Sequence, residues 1–206
     1  SVYGASSAPG AGFAWVQDAD PGEPRFAISS NFTSKDGAKS TDGDGIMGDK
    51  ARNYYLTQVQ YGGSRWQVSA AYAHKDGTGQ EGYGTTAGTS YNGDVNAIGL
   101  RAYWIPEETG AVPSISVGYD TADIDAKTTG QTTGTSNWMI GAQWKDAFVD
   151  GNSAGVAYGS SQHATSKKGG GATKDDNTVI EAWYSFKVSD NISVTPAVFF
   201  LNDPEG

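Results

Sequence analysis

Trp66-Gln67-Val68-Ser69-Ala70-Ala71-Tyr72-Ala73-His74 decides the fold. Trp66, Val68, Ala70 and Tyr72 alternate with Gln67, Ser69, Ala71 and Ala73. An extended chain sends successive side chains to opposite faces, so period two makes this stretch a strand with one apolar and one polar side. Trp138-Met139-Ile140-Gly141-Ala142-Gln143-Trp144 repeats the pattern, as do the stretches around Leu100, Ile180 and Val194. Ten such windows are readable: 13–17, 26–33, 53–61, 66–74, 95–105, 114–120, 137–144, 153–159, 178–187 and 192–201. No stretch keeps a period of 3.6, so no helix of any length is expected.

The connections between windows alternate in length. The short ones are 18–25, 62–65, 106–113, 145–152 and 188–191; the long ones are 34–52, 75–94, 121–136 and 160–177. Loops above about 12–15 residues are uncommon in compact domains. Long loops at every second position imply different surroundings at the two strand ends. Outer-membrane barrels have this asymmetry, with short periplasmic turns and long extracellular loops. A soluble sheet whose aromatics pack a core explains the period but not the loop lengths. The expected fold is therefore all-β: an antiparallel transmembrane β-barrel, of which ten strands are readable.

Composition agrees. The 206 residues include 29 Gly and no Cys, which excludes disulfide scaffolds, zinc ribbons, iron–sulfur sites and thiol nucleophiles. Two histidines, His74 and His163, argue against a His-rich metal centre. A net charge of −9 disfavours binding nucleic acid. No run approaches the ~18 apolar residues of a membrane helix, and no signal peptide is visible. The mean hydropathy of −0.48 suits a barrel, whose alternating strands average to a polar value.

Charge and aromatics are placed consistently. Arg101 and Glu181 are the charges well inside a strand window, and both fall on the polar-facing set. That set, expected to line an aqueous lumen, includes Gln58, Gln60, Arg101, Tyr103, Asp120, Gln143, Lys145, Glu181 and Trp183, with Gln67, Ser69, Ser116, Asn137, Ser185 and Thr195. Arg101 and Glu181 are expected to tune ion preference from opposed walls. Tyr103 and Trp183 either stack on a sugar ring or fill space between the barrel wall and an inserted loop, for which 34–52 and 75–94 are the candidates. The apolar set carries an expected lipid-facing girdle: Trp66, Tyr72, Trp104, Trp138, Trp144, Tyr158, Phe186 and Phe200. Trp138 and Trp144, six residues apart, are about 20 Å apart along a strand, close to the span of a tilted apolar band.

The stretch 175–204 contains Glu181-x-x-Tyr184-x-Phe186-x-Val188-Ser189-Asp190-Asn191-Ile192-Ser193-Val194-Thr195-Pro196. It resembles the C-terminal region of cyanobacterial outer-membrane porins, members of the carbohydrate-selective porin superfamily. The resemblance implies a homotrimeric porin in the bacterial outer membrane, each barrel of sixteen strands. It implies passive diffusion of small hydrophilic solutes, with inorganic ions, including iron, rather than sugars for cyanobacterial members. It also implies an N-terminal domain that holds peptidoglycan and a last strand ending in an aromatic residue. Neither is in this chain, so residues 1–206 are expected to be part of a single barrel domain. By length alternation both ends of the chain fall on the long-loop side, which also suggests strands missing at each end. The competing expectation is a soluble or secreted β-rich carbohydrate-binding or adhesion protein.

Other motifs carry less. Gly77-Thr78-Gly79-Gln80-Glu81-Gly82 fits a phosphate-loop spacing, but no helix follows to receive the phosphate. Asp42-Gly43-Asp44-Gly45 with Asp49 suggests weak Ca²⁺ binding, although the EF-hand spacing fails. His74 beside Asp76, and His163 with Asp175 and Asp176, raise a barrel-rim protease; that chemistry needs paired acids and a histidine around one water. No enzyme, no catalytic residue and no metal centre are expected. Asn31-Phe32-Thr33 and Asn191-Ile192-Ser193 match the glycosylation acceptor by chance, and Lys167-Lys168 reads as a solvated basic spot.

Overall fold

A computed structural model describes residues 8–48, 51–76, 81–82, 90–91, 93–108, 110–173 and 177–202. The chain runs β1 (Gly10–Val16), β2 (Arg25–Ser34), β3 (Asn53–Gly62), β4 (Trp66–Lys75), β5 (Glu81–Gly82), β6 (Ser90–Tyr91), β7 (Val95–Trp104), β8 (Ser114–Ile124), β9 (Thr132–Lys145), β10 (Ser153–Ser160), β11 (His163–Lys167), β12 (Thr178–Ser189), β13 (Ile192–Val194) and β14 (Ala197–Asn202). Twelve of these form one sheet, and β5 and β6 form a small ribbon apart. All pairings are antiparallel, and no helix occurs among the described residues.

All ten period-two windows fall on strands of the sheet. Sequence neighbours pair with sequence neighbours: β1-β2-β3-β4-β7-β8-β9-β10-β12-β13. Such a meander needs only local hairpins. The Asp20–Glu23 turn is one, closed by Glu23 N donating to Asp20 O at 3.0 Å. Pro21 presets the first corner, and Gly22, at φ 92°, takes the left-handed second corner.

The structure corrects the strand reading in three places. The window 192–201 is interrupted at Thr195-Pro196, because proline gives the ladder no N–H. β13 and β14 keep one register on β12, with Phe186 opposite Val194 and Trp183 opposite Ala197, so they act as one bent strand. The expected long loop 121–136 is mostly sheet. β8 and β9 stay paired through Thr121–Ser136, Ala122–Thr135 and Asp123–Gly134, leaving only 125–131 as connection. β11, inside the expected loop 160–177, continues β10 along β9 past a bulge. Thr, Ser, Gly and Asp make up most of these extensions, so the short alternation of Ala122 and Ile124 does not stand out as a strand. The regular short–long alternation therefore breaks at 125–131.

The sheet is a single open layer. β1 pairs only with β2, and the outer edge of β13 and β14 is unpaired among the described residues, so the strands do not close into a barrel. Among the described residues no second sheet packs on the apolar face. Trp66 is 36% exposed, Ile98 48%, Leu100 47%, Ile140 46% and Val194 54%. The small buried core lies on the opposite face, at the end of the sheet carrying the long connections, where Val95, Ala122, Ile124 and Ala126 cluster with Ala97 packed against them.

Candidate functional site

Directly paired residues in antiparallel strands share a face, so the register sorts every strand position. From Trp66 the row runs through Trp104, Ile115, Ala142, Val156, Ala182 and Val198. Six positions along, the row of Tyr72 runs through Ile98, Thr121 and Ser136, and a row between them holds Leu100, Tyr119 and Trp138. All eight expected girdle residues, Trp66, Tyr72, Trp104, Trp138, Trp144, Tyr158, Phe186 and Phe200, lie on this one face. Rings meet across strands: Trp138 with Tyr158 at 5.2 Å and Tyr61 with Trp66 at 5.6 Å, both edge-on.

The other face takes all nine expected polar-set residues. One row holds Gln60, Ser69, Arg101, Gly118 and Met139. The next holds Gln67, Tyr103, Ser116, Gly141, Ala157 and Glu181. Gln58 sits in the row of Asp120 and Asn137, while Gln143 shares a row with Gly155 and Trp183. Lys145 lies opposite Ser153.

Arg101 is tied down rather than presented alone. Its Nη2 donates to Asp120 Oδ2 at 2.6 Å, and its Nη1 donates to the carbonyls of Leu100 and Tyr119. Asn137 Nδ2 donates to the same Asp120 oxygen at 3.2 Å. The charges of Arg101 and Asp120 therefore cancel within one stretch of wall. Sequence reading missed this pair because it depends on the β7–β8 register. Lys145 and Glu181 have no ion-pair or hydrogen-bond partner among the described residues, so with Arg25, in the row of Gln67 and Tyr103, they are uncompensated charges of the open half of this face.

The polar face has two halves. Toward the long connections it is covered, and Tyr54, Ala73, Val95, Ala122, Ile124 and Thr135 are buried. Toward the short turns it is open and grooved. The connection 35–52 is stapled at its base by Lys35 N donating to Arg52 O and by Arg52 Nε donating to Asp36 Oδ2 at 2.8 Å. Lys39 Nζ reaches Asp36 Oδ1 at 2.7 Å. Hydrogen bonds from Arg52 and then Lys39 hold the Asp36 carboxyl well below the usual carboxylate range, against the opposing effect of burial. At the other exposed connection, the ammonium of Lys127 lowers Asp125.

The remaining candidate residues do not converge. Asp42 and Asp44 lie in the 35–52 connection, and Asp49 lies outside the described residues, as do Gly77 to Gln80, Asp175 and Asp176. Among the described residues no group of three or more His, Asp and Glu gathers as a metal cage. His74 stands at the rim of the apolar face: Nε2 meets Asp76 Oδ1 at 3.1 Å and Nδ1 meets Asn96 Oδ1 at 2.9 Å, with Tyr72 OH donating to the same Asn96 oxygen. His163 Nε2 meets Ser136 Oγ at 3.3 Å, four strands from β4. The two histidines thus occupy separate places on the rim.

No family model, curated protein or solved structure matches this chain.

Proposed function

We propose that this sheet is wall of an outer-membrane β-barrel and that its polar face lines an aqueous channel for small hydrophilic solutes or inorganic ions. One observation carries the reading: an apolar face that runs across a single-layer sheet, with no second layer on it among the described residues and large side chains such as Trp104 (46%) and Phe200 (68%) in the open. Ten strands at about 4.8 Å spacing make that face nearly 50 Å wide. Monomeric soluble proteins seldom expose apolar patches beyond a few hundred Å². Hydrocarbon covers such a face without cost, and it requires every charge to keep to the other side. A soluble binding or adhesion protein would need a second layer over Trp66, Leu100 and Ile140. On this reading the chain resides in a bacterial outer membrane, against lipid, and the porin resemblance adds a homotrimer, sixteen strands per barrel and an anchor to peptidoglycan.

The covered half of the polar face lies toward the long connections, so the narrow zone of the channel belongs at that end and the wide vestibule at the short-turn end. Amides and hydroxyls line the open half. They let hydrated solutes pass.

Purified protein in planar bilayers tests the proposal. Step-like conductance that grows with salt is the expected result; a monodisperse protein without detergent that leaves bilayers silent overturns it. The charges then give a graded prediction. A unit charge about 8 Å from the ion path in water is worth ~0.5 kcal/mol, about twofold in permeability ratio. Glu181→Gln should shift selectivity toward anions by that amount and Lys145→Gln toward cations. Arg101→Gln leaves Asp120 uncompensated and should act like Lys145→Gln. Unchanged reversal potentials in all three variants would show that this face does not border the ion path.

A further inference from the structure

On the open half of the polar face lies a groove of about 440 Å³, with Tyr103 and Trp183 among its walls. Its floor is made of small residues: Ser116, Gly141 and Ala157 stand in one row between Tyr103 on β7 and the β12 strand. Trp183 lies opposite Gly155, and a side chain at Gly155 would collide with the indole, so the ring lies down across the sheet instead of standing up from it. That leaves its outer surface turned to the groove. Met139 lies at one end of the groove, and Gln143 and Lys145 lie at the other. The Lys145 ammonium has no partner among the described residues.

We propose that this groove binds a flat aromatic carboxylate, its ring stacked on Trp183 and its carboxylate held by Lys145. The inference rests on the polar face being open to water. The parts fit that chemistry. The indole of Trp183, laid down along the flat floor, offers its face to a planar ring. Methionine sulfur adds a favourable contact to a ring edge. An ammonium whose charge is otherwise uncompensated supplies the anion's partner, and the Gln143 amide donates beside it. Glu181, in the row of Tyr103, raises the cost for an anion placed nearer β12, which orients the carboxylate toward Lys145.

Saturation-transfer NMR of benzoate with the detergent-purified chain, blanked against protein-free micelles, reads binding whether or not the protein conducts. The expected result is saturable binding to the chain, weakened about tenfold in Trp183→Ala and about fivefold in Lys145→Gln. Trp183→Phe should recover most of it, which separates stacking from a folding defect. Cyclohexanecarboxylate should bind several-fold more weakly than benzoate. Absence of saturable benzoate binding, equal binding by Trp183→Ala, or equal binding of the saturated acid would each overturn the proposal. A silent bilayer with benzoate still bound would count against the channel alone; a conducting channel that ignores benzoate would count against the groove alone.

Discussion

Arginine in place of Ile140 is expected to block insertion into lipid. Ile140 sits in the middle of β9, opposite Val117 on one neighbour and Tyr158 on the other, with 46% of its surface uncovered. A guanidinium at the midplane of a barrel's lipid face costs about 2–4 kcal/mol, which depletes the inserted form by roughly 30- to 1000-fold. The neighbouring row offers the control. Ser116→Arg, on the polar face of β8, should insert like the wild type. Unheated denaturing gels of protein refolded into liposomes report the folded fraction, since a closed barrel keeps its shape in detergent until boiled. Equal insertion of both variants would refute the assignment of faces to media. A soluble two-layer protein would respond otherwise, with both chains remaining monodisperse without lipid.

Asp36→Ala should release the 35–52 connection. The carboxylate of Asp36 is almost wholly covered and takes bonds from Arg52 at 2.8 and 3.3 Å and from Lys39. Asp36→Ala removes an acceptor shared by Arg52 and Lys39, and lost hydrogen bonds to charged groups cost about 1.5–3 kcal/mol. The loss should stay local, seen as faster amide exchange across 35–48 with the β-sheet intact. The same pair sets a pH dependence. Because the folded carboxyl titrates below its unfolded value, its contribution is complete above the ordinary carboxylate range and fades as acid protonates it from there downward. Exchange protection in the wild type should thus be flat from neutral pH to about pH 4 and fall below that, while Asp36→Asn is weak and nearly pH-independent throughout. A wild-type connection that loosens already near neutral pH would rule out this staple.

The sequence made legible whatever alternation encodes. The ten alternating strands and their faces could be read from Trp66, Leu100, Ile140 and their neighbours, because a one-residue slip would send an entire apolar set to the wrong side, whereas β5, β6 and β11 lie inside expected loops. What stayed hidden was written in residues without contrast. The paired extension Thr121–Asp123 against Gly134–Ser136 has polar side chains on both faces and so read as loop. The bend at Pro196 was visible as a residue but not as a break. The Arg101–Asp120 pair and the alignment of Tyr103 with Ser116 and Gly141 depend on the register between strands, which period two alone leaves open in steps of two residues. The covering of Tyr54 and Val95 depends on where a connection lies, and a connection has no period at all.

The two unzipped margins of the sheet have a mechanical consequence. Among the described residues, peptide groups along the outer edges of β1 and of β13–β14 have no neighbouring strand to receive them, and acyl chains would offer them neither donor nor acceptor. On the proposed reading of the sheet as barrel wall, entry into a bilayer would have to coincide with the pairing of those margins, as a single cooperative event. Until that event the margins are sticky templates, so this protein in dilute solution should be a client of holding chaperones and not a free monomer.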